Sequence, residues 1–191
     1  TAKLLYTHES PALSEIVRDI NKYSNNVMAR QLFLTLSAES LKTPGRNSNS
    51  IQVIKSWLTQ RAINVPELVM DNGSGLSRIE RISAANLAQV LDSAYRSAVM
   101  PELMASLPLV AQDGTMKRRL NGASVAGQAH IKTGSLSDVR SIAGYILDRR
   151  GRRHVVVFLI NHANAAAGQT AQDALLRWVY AGETGGGCRG C

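Results

Sequence analysis

Ile131-Lys132-Thr133-Gly134-Ser135 sets an ammonium, two hydroxyls and a glycine in one run, with apolar strand-like sequence directly after it. On a strand edge, the Lys132 ammonium and the Thr133 hydroxyl can hold a carboxylate between them. Gly134 lets a second backbone lie close to the strand. Two other polar stretches stand out, Ser24-Asn25-Asn26 and Gly73-Ser74-Gly75-Leu76-Ser77-Arg78. Taken singly, each has an ordinary reading. Ser24 suits a helix N-cap, Asn26 a turn and Lys132 a solvated surface. Ser74 and Ser77 read as turn hydroxyls rather than nucleophiles. The four histidines (His8, His130, His154, His162) are scattered without ligand spacing, so no metal is expected. No phosphate loop or dinucleotide fingerprint occurs.

The elements that must position these residues follow from periodicity. Apolar residues at helical spacing predict helices over 11–21, with Ser10 as N-cap, and over 27–40, with Met28, Leu32, Phe33 and Leu36 inward. Ser24-Asn25-Asn26 falls in the turn between them. A Pro/Gly/Asn/Ser-rich loop spans 42–50, and Ser50 caps a helix carrying Ile51, Ile54, Trp57 and Leu58. Leu68-Val69-Met70 predicts a short strand, Ser83 a helix cap and Pro101 the start of a short helix ending near Leu107. After Gly127 the period changes. Strands are expected over 129–133, 142–146 and 155–160, the last two joined as a hairpin through Asp148-Arg149-Arg150-Gly151-Arg152-Arg153. The last strand, apolar on both faces, is expected to be central. A closing helix over 165–180 should bury Ala171, Ala174, Leu175, Trp178 and Val179. The class is α+β. Three strands are few for so many helices, so strands from outside this chain are expected.

The chain is long enough for one domain and has no apolar run able to span a membrane. It opens in apolar sequence, as a piece of a longer protein would. Its net charge is +8. The arginine cluster lacks interleaved aromatics and reads as a solvated hairpin tip rather than a nucleic-acid surface. Both cysteines, Cys188 and Cys191, lie in a glycine-rich tail over 182–191. That tail is expected to be disordered or cloning-derived, leaving 1–181 as the domain.

In order and context, the three polar stretches resemble the sites of penicillin-binding proteins and serine β-lactamases, which use Ser-x-x-Lys, then Ser-x-Asn, then Lys-Thr-Gly. The finer resemblance is to D-alanyl-D-alanine carboxypeptidase/endopeptidases of the penicillin-binding protein 4 type. Residues 21–29 match the Ser-x-Asn segment of that family, and 71–78 its Asp-Gly-Ser-Gly-Leu-Ser-Arg loop with one extra residue. Leu107-Pro108, Asp113-Gly114-Thr115 and Arg119-Leu120 match the run before the third motif, and 132–145 the strand pair after it. The resemblance implies a β-lactamase/transpeptidase-like fold and an acyl-enzyme mechanism on peptidoglycan stem peptides, with penicillin binding. It implies a periplasmic location and no cofactor, metal or nucleic acid, and it leaves open a peripheral membrane association of the parent. No serine in the chain has a lysine three residues later. The family's nucleophile and its lysine would then lie upstream of Thr1, and the chain alone would be inactive.

The resemblance also implies roles. Ser24 would relay a proton to the leaving group. Asn26 would donate to a substrate amide carbonyl and help hold the upstream lysine. Lys132 would supply positive potential and attract a terminal carboxylate, which Thr133 would bind. Gly134 would admit the substrate backbone, and the Ser135 N–H would be one of two oxyanion donors. The alternatives are a β-lactamase or esterase of the same fold, or a non-catalytic basic module that binds cell wall.

Overall fold

In the computed structural model, which describes residues 2–182, three antiparallel strands stand in the order β1-β2-β3. They are β1 (Ala129–Leu136), β2 (Val139–Leu147) and β3 (Arg153–Asn161). Strand geometry sends alternate side chains to opposite faces. Ala129 and Ile131 therefore share a face with Ile142, Ile146 and Val156, in the same core cluster as Leu176. The opposite face carries Lys132 and Tyr145. There the Tyr145 hydroxyl donates to the Leu91 carbonyl at 2.7 Å, tying the sheet to a helical layer. β2, between its neighbours, is the central strand. Among the described strands β3 is an edge, so the expectation that the last strand is central is not met within this chain and would require strands from outside it to pair with β3. Its apolar residues on both faces pack against helices on either side, and only Val156 is fully buried. A strand covered on both faces gives the same apolar pattern wherever it lies in a sheet.

The helices are α1 (Leu13–Tyr23), α2 (Asn26–Leu41), α3 (Asn47–Gln60), α4 (Ala84–Tyr95), α5 (Met100–Ser106) and α6 (Gln169–Ala181). Ser83 caps α4 as expected, accepting the Asn86 N–H at 3.1 Å. Two other caps are corrected. Helix α1 starts after Ala12 without a side-chain cap, leaving Ser10 outside it. Helix α3 starts earlier than expected, and Ser50 lies inside its first turn. Ser50 is buried there, and its hydroxyl donates to Ser37 Oγ of α2 at 3.0 Å. Leu36 is turned outward from α2. Residues 68–70 contribute only an isolated bridge, Val69 with Arg81. The closing helix begins as a 3-10 turn, Ala165–Gly168. α6 buries Gln172 and Leu176, with Leu175 and Val179 half-covered, so Ala171, Ala174 and Trp178 face outward, contrary to expectation. A buried glutamine does not register in a hydrophobic pattern.

At the β2–β3 turn the arginines are largely exposed and Asp148 is buried beneath them. Its carboxylate accepts the Arg150 and Arg152 N–H groups, the Arg152 guanidinium and His154 Nε2, all at 2.8–2.9 Å. These bonds, led by that to His154, hold the Asp148 carboxyl well below the ordinary carboxylate range. The cluster is thus a hairpin tip organised around one carboxylate. The expected C-x-x-C tail lies outside the described residues.

Because the folded Asp148 carboxyl is held below its unfolded value of about 3.9, the stability it contributes is complete above that pH. It is lost as pH falls through the folded value. Asp148→Asn should therefore lower the urea midpoint of the chain at pH 7. The gap to the original chain should narrow on acidification below about pH 3.9.

Candidate active site

A cleft of about 530 Å³ runs between β1 and the α1–α2 junction. It is lined by all six expected site residues: Ser24, Asn26, Lys132, Thr133, Gly134 and Ser135. The junction brings two helix ends together. Ser24 ends α1 in the left-handed region (φ 54°, ψ 48°), where non-glycine residues are uncommon. Asn25, and not Ser24, caps α2, its side chain accepting the Met28 N–H at 3.1 Å. Relieved of capping, the Ser24 hydroxyl turns across the cleft and accepts a hydrogen bond from Lys132 Nζ at 2.8 Å. A hydroxyl that accepts from an ammonium keeps its own proton free to donate. Lys132 Nζ also donates to the Thr133 carbonyl at 2.9 Å. Burial pushes the Lys132 ammonium below the ordinary lysine range.

Asn26, in the first turn of α2, donates through Nδ2 to the Ser74 carbonyl at 2.6 Å. That contact docks the 71–78 loop beside the cleft. Within the loop, Ser74 Oγ accepts the Leu76 N–H and Ser77 Oγ the Ile79 N–H, both at 3.2 Å, so the two serines act as turn hydroxyls. Gly73 (φ +72°) lies so close to α2 that a Cβ there would meet Phe33 Cβ at 2.5 Å. Arg78 reaches the β1–β2 turn, pairing with Asp138 and donating to Ser137 Oγ at 2.9 Å.

The outer edge of β1 is half covered. Ile131 N–H donates to the Pro108 carbonyl at 2.8 Å, and the Ala129 carbonyl accepts from Val110 N–H at 2.9 Å. Backbone polar groups alternate sides along a strand, so those of Thr133 and Ser135 point to the same outer edge. The covering segment has turned away by then, and these groups face the cleft. Gly134 falls on the other phase of the strand. Here its lack of a side chain also makes room for Ser141 Oγ on β2, which a Cβ would overlap. The edge therefore offers two outward N–H groups, the hydroxyls of Thr133 and Ser135, and one ammonium. That donor set suits an anion and an oxygen developing negative charge.

Asp113-Gly114-Thr115, which carries no functional role in the sequence pattern beyond the resemblance, brings a further residue to the cleft. In the structure Thr115 lines the cleft, its Oγ1 2.8 Å from Thr133 Oγ1. The signal that could have found it is the charge pattern. Lys22 lies two residues before Ser24, and its Nζ meets Asp113 Oδ2 at 2.6 Å and the Leu107 carbonyl at 2.7 Å.

A sequence profile of the D-Ala-D-Ala carboxypeptidase 3 (S13) family matches residues 1–181. D-alanyl-D-alanine carboxypeptidase DacB of Haemophilus influenzae is 29% identical over 161 residues, covering 83% of this chain and 34% of that protein. The crystal structure of penicillin binding protein 4 (dacB) from the same organism matches with a TM-score of 0.80 at 25% identity, over 88% of this chain and 40% of that one. A class A β-lactamase representative from Bacteroides cellulosilyticus matches with a TM-score of 0.62 at 17% identity, over 88% of this chain and 62% of that one, and shares the fold. The expected β-lactamase/transpeptidase-like α+β architecture is thus the observed one. The chain spans about a third of the length of the curated relatives it matches.

Lys132 should be distinguishable from the other lysines in solution. After reductive ¹³C-methylation, an NMR titration should show one lysine with a midpoint below the usual value of about 10.4. Lys132→Arg should remove that resonance. Ordinary midpoints for every lysine would contradict the desolvated placement.

Proposed function

Because the chain belongs to the D-Ala-D-Ala carboxypeptidase 3 (S13) family, we propose that it forms one wall of a serine acyl-transfer site. That site cleaves the D-Ala-D-Ala end of peptidoglycan stem peptides and is acylated by β-lactams. The observation that carries this reading is the 2.8 Å hydrogen bond from Lys132 Nζ to Ser24 Oγ across a cleft, beside an open edge bearing Thr133 and Ser135.

The chemistry follows from the donor set. The substrate ends in a carboxylate, which Lys132 attracts and the Thr133 hydroxyl binds, setting the terminal D-Ala beside β1. A serine from the rest of the domain attacks the penultimate D-Ala carbonyl, and the Ser135 N–H stabilises the resulting oxyanion. Removing one such donor typically costs about 10²–10³ in rate. As the C–N bond breaks, the departing amine needs a proton. Ser24 is placed to relay it: its oxygen accepts from Lys132, its own proton is free to go to the amine, and the proton released by the attacking serine to the lysine of the nucleophile motif replaces it. Asn26, held at the front of α2, donates to the peptide amide carbonyl and helps fix the lysine of the nucleophile motif. Water then hydrolyses the ester. With no Ser-x-x-Lys in the chain, the attacking serine is assigned to sequence outside it, and residues 1–181 to one part of the penicillin-binding domain. The outer edge of β3 is where further strands of that domain would add. The substrate places the complete protein in the periplasm. Among the described residues no helix is long and apolar enough to cross a membrane.

In the complete protein, Lys132→Ala should slow acylation by a fluorescent penicillin about a hundredfold or more, through loss of the preorganised charge. The loss should change little with added salt, since the cleft is half-buried. Unchanged labelling would sink the assignment. The separately expressed chain should take up no label, and a labelled chain would mean that the nucleophile lies within it.

A further inference from the structure

Thr115 and Thr133 face each other across the mouth of the cleft with their hydroxyl oxygens 2.8 Å apart, and either can donate. The direction of that bond decides what the cleft presents. Each hydroxyl has one proton. If Thr133 donates to Thr115, only Thr133 lone pairs face the cleft, and they repel a carboxylate. If Thr115 donates, the Thr133 proton is free to point at the anion. The chain Thr115–Thr133–carboxylate then runs donor to acceptor throughout, each bond polarising the next.

We propose that Thr115 is a positioning residue for carboxylate recognition, holding the Thr133 hydroxyl as a donor toward the substrate terminus. This rests on the reading of the cleft given above.

The placement of Thr115 is built into the fold. It sits in a 3-10 turn, Gly114–Met116, whose next residue, Met116, is fully buried. Before it, Asp113 is held from both sides. Its Oδ2 pairs with Lys22 Nζ at 2.6 Å, and its Oδ1 accepts the Leu109 N–H at 2.7 Å. The Lys22 side chain is only 12% exposed, so this pair is shielded from solvent on one side. Gly114 (φ +53°) passes so close beneath α1 that a Cβ would meet the Lys22 carbonyl oxygen at 2.6 Å. The turn therefore cannot swing away from β1 without breaking the Lys22 contacts. Thr115 itself is exposed in the free cleft, and no other hydrogen bond is made by its side chain among the described residues. Its hydroxyl has no structural task beyond Thr133.

The test compares two substrates in the complete protein. One is a peptide ending in D-Ala-D-Ala. The other is an acyl-D-alanine S-ethyl thioester, which has a reactive leaving group and no terminal carboxylate. The ratio of the two acylation efficiencies, measured on one preparation, is insensitive to the folded fraction. Thr115→Val should lower the ratio about threefold to tenfold, the range expected for one net hydrogen bond. Thr115→Ser should restore it, and Thr115→Ala should match the valine variant. Thr133→Val serves as the control. If Thr133→Val lowers the ratio and Thr115→Val does not, the proposal is overturned while the site reading stands. Equal loss on both substrates in Thr115→Val marks a merely structural role and also overturns it. If Thr133→Val leaves the ratio unchanged, the carboxylate site is wrong and the proposal falls with it.

Discussion

The outer edge of β1 has to satisfy two partners in succession, and the rest of the structure follows from where the change is made. Unpaired backbone donors and acceptors are costly when buried, so a strand edge is normally either covered or solvated. At Ala129 and Ile131 the edge is covered by Pro108 and Val110. Two residues later it is open, and Thr133 and Ser135 turn their N–H groups to a cleft. The covering segment runs antiparallel to β1, so the change is made on the Leu107 side of Pro108, where the segment meets the end of α5. Lys22, two residues before Ser24, holds that place through the Leu107 carbonyl at 2.7 Å while it pairs with Asp113. One lysine therefore ties the place where the edge opens to the end of α1. A donor-rich edge and a helix terminus are thereby brought to hydrogen-bonding distance, 2.8 Å between Lys132 Nζ and Ser24 Oγ.

The junction at Ser24 shows how local costs are distributed. A non-glycine residue in the left-handed region costs on the order of 1 kcal/mol or more. Here the neighbouring residue takes over the task that would otherwise consume the hydroxyl. Asn25 caps α2, Asn26 docks the 71–78 loop through the Ser74 carbonyl, and Ser24 is left to face Lys132. Three consecutive small polar residues thus do three different things, and none is interchangeable with its neighbour. Serine at a helix boundary ordinarily caps. The backbone twist at Ser24 prevents that and redirects the side chain.

Much of this was legible from local pattern. Strand periodicity located β1 to β3, and the arginine-rich turn between apolar runs located the hairpin. Ser83 ahead of an apolar helix was a cap by local rules. What failed were features decided by distant partners. Ser50 looks like a cap, but its hydroxyl is buried against Ser37, 13 residues away in a neighbouring helix. Gln172 is buried on α6 near Arg119, whose Nη2 donates to its Oε1 at 3.1 Å. The buried stripe therefore runs through a polar residue, and Trp178 is left outside. Edge and centre could not be told apart for β3, because faces leave a trace in hydrophobicity and edges do not. In the site, the polar motifs gave the residue types, while the Thr115–Thr133 contact joins residues whose proximity is set by the Lys22 bolt on a third element.

The electrostatics of the cleft work against the simplest view of a basic protein binding anions through its net charge. The excess positive charge includes exposed arginines at the β2–β3 turn, where Asp148 answers part of it and solvent screens the rest. In the function proposed above, the cation that matters is a single lysine, Lys132, whose ammonium burial holds below the ordinary lysine range. That placement is useful for the same reason it is costly. An ammonium in a half-buried cleft interacts more strongly with an incoming carboxylate than one in water. The carboxylate in turn favours the charged form of Lys132 and so restores the proton affinity that burial removed. Substrate anion and lysine charge therefore reinforce each other. A neutral ligand lacks this coupling, so in the proposed function discrimination for a terminal carboxylate resides in one half-buried cation and the hydroxyls arranged beside it.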